Sequence, residues 1–187
     1  MTRLRPLFET VHLAALGVWV GALGMTAATA AVLFPEMRDL DPSLGAFGAY
    51  PGEHWVLAAG RVMARVFSVL DSVQIGCASL AAMTAFALFV SRANRRWLRL
   101  VLTLAPTAVL VWYLLMVALP MHADLTGYWD AARGGELELA SGFRAAFDAR
   151  HPVASRAMGL TLALALVALV VNGWRSAASG PAKKPAP

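Results

Sequence analysis

Charge is scarce in this chain of 187 residues. Asp, Glu, Lys and Arg together make up 14% of it, against about a quarter in an ordinary soluble domain. Cysteine is rarer still: Cys77 stands alone, so no disulfide forms within the chain. The signatures of soluble enzymes are missing too. The sequence holds no phosphate-cradling Gly-Lys-Ser/Thr loop, no Gly-x-Ser-x-Gly nucleophile turn and no His-Glu-x-x-His zinc helix. The net charge of +5 and the pI near 10.1 would suit a nucleic-acid binder. Such a binder needs Lys and Arg clustered on one face, and the low charged fraction argues against nucleic acid as a partner.

What the chain has instead is apolar surface. Hydrophobic residues make up 59%, and the mean hydropathy is +0.62. That is too apolar for a soluble enzyme or a disordered protein, and the length suits a single domain. A bilayer core about 30 Å thick is crossed by about 20 apolar residues in a helix. Four stretches qualify, at about residues 7–34, 62–90, 97–120 and 152–174. Lipid offers no partner to a backbone amide, so each stretch is predicted to be a helix. The expected fold is all-α: a four-helix transmembrane bundle. The first stretch opens on Arg3 and Arg5 and holds Ala28-Thr29-Ala30, which resembles a cleavage site. It is far longer than the apolar part of a signal peptide, so it reads as a span.

The links between spans differ in kind. The short link 91–98 carries Arg92, Arg95 and Arg96 without an acid, and Arg99 follows. The longer links, 35–61 and 121–151, hold nine of the chain's acids, from Glu36 to Asp148. The positive-inside rule then places the Arg-rich link and both termini in the cytoplasm, as in a bacterial inner-membrane protein. The basic ends would also attract anionic lipid headgroups. Trp97 and Trp174 fall at the inner ends and Trp55 and Trp129 near the outer ones, where amphipathic rings favour the headgroup level. Residues 136–150 carry an amphipathic pattern. It suits a short surface helix, or an extension of the fourth span with Pro152 at a kink. Residues 176–187, rich in Ser, Ala, Gly, Pro and Lys, are expected to be disordered.

A few residues interrupt the apolar runs, and these are the candidates for function. His12 and Trp19 are seven apart and share a helical face. Gly17, Gly21 and Gly24 form a small-residue series that lets another helix approach closely. Arg61 and Arg65 are one turn apart, followed by Ser68, Asp71, Ser72 and Gln74. A carboxylate inside lipid is costly, so Asp71 is expected either to pair with Arg65 or another Arg, or to be protonated. Asp71 therefore reads as a register-fixing ion pair or as an ion or proton site. On the fourth span, Arg156 lies one turn in, and His151 and Ser155 are i,i+4 neighbours. His122 follows Met121 at the end of the third span, and Asp124 lies two residues on. With His151, His122 is the candidate for a haem or copper site, because imidazole suits both metals.

The pattern Val11-His12 … Trp19-Val20-Gly21, then Ala31-Val32-Leu33-Phe34, resembles the first helix of the transmembrane protein 205-like family, a domain of unknown function. The stretch Ala59-Gly60-Arg61 … Val66-Phe67 is similar to the start of that family's second helix. Phe147 … His151 … Ser155 resembles the entrance of its fourth. The resemblance implies a four-helix membrane fold and no defined activity. A more distant likeness to CopD-type copper resistance proteins implies copper handling. Three functions follow as expectations: an accessory or scaffold subunit of a larger membrane complex (or of a self-assembly), a haem- or copper-binding membrane protein, and a small oligomeric ion or proton-coupled transporter.

Overall fold

A computed structural model of the chain describes residues 4–91 and 96–178. It is all-helical among those residues. Helix α1 spans Arg5–Leu40 and α2 His54–Val90, joined by a loop with one 3-10 turn at Gly45–Phe47. Helix α3 spans Arg96–Tyr113 and runs through a π-helical turn, Leu114–Ala118, into α4, Leu119–Gly134. Helix α5 spans Leu137–Ala178. Four helices, counting α3 to α4 as one, are long and apolar enough to cross a membrane. The protein is a multi-pass integral membrane protein.

The helices outrun the bilayer. At 1.5 Å per residue, the 36 residues of α1 extend about 54 Å and the 42 of α5 about 63 Å. The excess collects at one end as a helical cap. This corrects two expectations and decides between the alternatives of a third. The first helix does not stop at Phe34: Pro35 lies inside α1, which ends six residues later on Asp41 in the left-handed region, φ 41°. The third does not stop at Pro120. Proline has no N–H and its ring crowds the carbonyl four residues back. The helix absorbs this by widening into a π turn just before it, with the Leu119 N–H bonded to the Leu114 carbonyl. Of the two readings of residues 136–150, the extension of the fourth span is the one found and the separate surface helix is not, because α5 runs from Leu137 through Pro152. Residues 176–178 also belong to α5; the remainder of the expected disordered tail, 179–187, lies outside the described residues, as do Arg3, Arg92 and Arg95.

Helices α4 and α5 meet in a tight hairpin. Gly135 adopts φ 73°, and the Gly135 and Glu136 amides cap the Ala131 and Ala132 carbonyls. The cap core is Phe47, Leu57, Tyr128, Ala131, Ala132 and Ala140, with Trp129 and Phe143 against it. Within the membrane region the core is largely small: Ala15, Ala78, Ala81, Ala154, Ala157, Ala165 and Ala168 surround Leu16, Trp19, Leu70 and Leu110. Association in lipid rests on van der Waals packing, which small residues favour by letting backbones come close. The helices alternate in direction, so both described chain ends lie at the end remote from the cap.

Candidate polar layers within the bundle

Two polar layers cross the apolar bundle. The first lies near the chain-terminal end, where α1 and α3 begin and α2 and α5 finish. His12 is buried, 1% exposed. Its Nδ1 lies 3.1 Å from Thr84 Oγ1 and 3.2 Å from the Ala81 carbonyl. Its Nε2 lies 3.4 Å from the amide nitrogen of Asn172, also fully buried. Arg99 Nε donates to Asn172 Oδ1 at 3.4 Å, and Arg99 Nη1 stands 3.7 Å from Glu9, which Arg5 also holds at 3.0 Å.

The donors fix the sense of this chain. A guanidinium has only donors, so the Asn172 oxygen faces Arg99 and its NH2 faces His12. His12 Nε2 is then an acceptor, and Nδ1–H donates to Ala81 and Thr84. The imidazole is held neutral, as one tautomer, by residues on all four membrane helices.

The second layer lies deeper. Trp19 Nε1–H donates to Gln74 Oε1 at 3.1 Å, and Gln74 Nε2–H donates to Asp71 Oδ1 at 3.3 Å. Trp19 and Gln74 are both buried, whereas Asp71 sits half-buried at the edge of the lipid-facing surface of α2. Tyr113, just before the π turn, lies within electrostatic reach of that carboxyl. Ala15, Leu16, Ala78 and Ala81 fill the space between the layers.

The expected pairing of Asp71 with Arg65 is not made. Six residues separate them, which on a helix points them about 120° apart. Among the described residues no ion pair joins Asp71 to Arg65 or to another Arg. Its hydrogen-bond partner is the Gln74 amide. The expected ion pair is therefore absent among the described residues, and the Gln74 amide stands where an arginine was expected. The glycines of α1 do not pack against this bundle either: a Cβ at Gly17, Gly21 or Gly24 would meet nothing within 4 Å.

The other candidates lie apart from both layers. Arg65 and Arg156 are exposed on α2 and α5. His122 and His151 are exposed near the cap, where His151 packs against the Phe147 ring and its carbonyl accepts from Ser155. Asp124 pairs with Arg150. His54 is a cap residue: its Nδ1 accepts from the Leu44 amide and its Nε2 faces the Tyr50 carbonyl, each at 3.0 Å. Among the described residues no group of three His, Cys, Asp or Glu converges to hold a metal ion.

Sequence reasoning singled out His12, Trp19 and Asp71 but not Asn172, Thr84 or the inward turn of Arg99. A signal for Asn172 was present, since it is the sole asparagine in the four apolar stretches. Arg99 read as one more loop arginine, yet its side chain is 12% exposed. No family model matches this chain, and no curated protein or solved structure matches it either.

Proposed function

We propose that this protein is an accessory or scaffold subunit that packs against other membrane helices. The observation that carries this reading is the outward face of α1. Thr10, Ala14, Gly17, Gly21, Gly24, Ala28 and Ala31 recur at alternating spacings of four and three residues. They lie opposite the buried face formed by His12, Ala15, Leu16, Trp19 and Leu23, and six of the seven are exposed. A heptad of small residues is the pattern on which a second helix packs closely at a shallow left-handed angle. The same seven positions offer lipid little side-chain contact. Meanwhile the polar groups of the interior bond to one another, as suits a rigid docking body. The likeness of His12, Trp19 and Gly21 to the transmembrane protein 205-like pattern belongs to the same proposal.

The test is co-purification after mild solubilisation. Wild type should carry a stoichiometric partner, either another membrane protein or a second copy. Gly21→Leu with Gly24→Leu should lose that partner while the chain keeps its helical content, because nothing within the bundle occupies that space. Wild type that is monomeric and alone across several detergents would overturn the reading.

A further inference from the structure

The cap meets the membrane region at a basic and aromatic patch that the docking face of α1 does not use. Arg61 and Arg65 are one turn apart on α2, and both are exposed. Ser68 and Ser72 continue the same face, also exposed, at spacings of three and four. The Arg61 guanidinium lies 5.8 Å from the Phe47 ring centre and 5.6 Å from that of Trp129. Rings at that distance attract the cation and hold its position. Arg133 stacks on Phe47 as well, at 5.5 Å, but Asp130 binds it at 3.1 Å. Neither Arg61 nor Arg65 belongs to an ion pair among the described residues.

Arg65 makes the case sharper. It stands one turn inside the apolar stretch and faces lipid, where an uncompensated guanidinium is costly. An arginine stem is long enough to return its charge one turn back toward the headgroup level, the level at which Arg61 stands. Two guanidinium groups one turn apart, one of them oriented by rings, match the oxygens of a phosphate. Below them, Ser68 and Ser72 continue the exposed face of α2 with small side chains.

We propose that Arg61 and Arg65 clamp the phosphate of an anionic phospholipid, whose acyl chain runs along the Ser68–Ser72 face of α2. The occupant is a lipid because both arginines are exposed on the lipid-facing surface of α2 and the small-residue face of Ser68 and Ser72 continues from them into the apolar stretch. An anionic headgroup suits it because, among the described residues, no carboxylate pairs with either arginine.

The experiment uses the full-length protein in mixed micelles, with bound phosphatidylglycerol and phosphatidylcholine counted by native mass spectrometry. Phosphatidylglycerol should be retained over phosphatidylcholine. Arg61→Gln and Arg65→Gln should each lower its occupancy about tenfold, the effect of losing one hydrogen bond to a charged group. Arg65→Lys should lose part of it, keeping the charge without the fork. Arg156→Gln, which removes an exposed arginine on α5, should change nothing. Excess inorganic phosphate should not displace the lipid. Equal retention of the two lipids by wild type would overturn the proposal without any variant being needed. So would unchanged occupancy in both Gln variants, an equal loss in Arg156→Gln, or displacement by free phosphate. The lipid count does not depend on a protein partner, so it fails or succeeds apart from the docking face of α1.

Discussion

At the scale of single residues, the polar interior works as matched pairs. Trp19 and Gln74 are buried together, the indole N–H satisfied by the Gln74 oxygen while the Gln74 N–H goes to Asp71. Leaving one partner alone is worse than removing both, because the survivor keeps its desolvation penalty. Trp19→Phe keeps most of the ring and strands the Gln74 oxygen; Gln74→Leu strands the indole N–H and also removes the N–H that Asp71 accepts. Hydrogen bonds between membrane helices average about 0.6 kcal/mol and reach about 1.7 kcal/mol. Each single variant is expected to lose about 1 kcal/mol, and the double variant less than the sum. Unfolding in a detergent–denaturant series measures the cycle; strict additivity would show that the 3.1 Å contact contributes no coupling. His12 and Trp19 were legible because a titratable ring and an indole stand out in an apolar run. Gln74 stood out as a polar residue on the second span, but its pairing with Trp19 was not legible, and neither were Asn172 and Thr84, because their meaning depends on which helices are neighbours. Periodicity gives a face, and only the packing gives the element opposite.

At the scale of elements, two helical glycines show how packing decides the sign of one substitution. Gly21 faces outward on α1 with nothing within 4 Å of a Cβ. Gly21→Ala removes unfolded-state freedom without a clash, so the isolated chain should gain roughly 0.5–1 kcal/mol. Gly127 on α4 lies against α5, and a Cβ there would stand 2.7 Å from the Phe143 ring. That ring packs on the core of Tyr128, Ala131 and Ala140, so moving it opens the cap. Gly127→Ala should cost about 1–3 kcal/mol, the range for overpacking a fitted site. Melting of the two variants side by side tests this, and a stabilised Gly127→Ala would show that Phe143 swings aside freely. The four spans were legible from apolar length alone. Their ends were not: Pro35 and Pro120 read as boundaries, and Pro152 as a boundary or a kink, yet each is carried inside a helix. Long helices tolerate proline where neighbouring elements support the freed carbonyls, and the π turn before Pro120 is the local adjustment that does so.

At the scale of the molecule, the cap and the polar layer of His12 mark opposite ends, and their sidedness follows from charge near the membrane. Burial changes which charges count. Arg99 sits within the bundle bonded to Asn172 and close to Glu9, so it belongs to the interior rather than to the surface. The asymmetry then rests on Arg92, Arg95 and Arg96 in one short link, with Arg3 and Arg5 at the same end. Positive charge in short loops is retained on the cytoplasmic side, while long segments cross with little regard to charge. The cap, built from the longer links, is therefore expected outside. Single cysteines introduced in a Cys77→Ala background report this directly. Ser141→Cys, exposed on the cap, should react with a membrane-impermeant maleimide in intact cells. Ser91→Cys, at the end of α2 beside the Arg-rich link, should react only after the membrane is opened. The reverse pattern would place the cap and its Arg61–Arg65 patch in the cytoplasmic leaflet. The chain would then have to hold its three-arginine link against the usual bias.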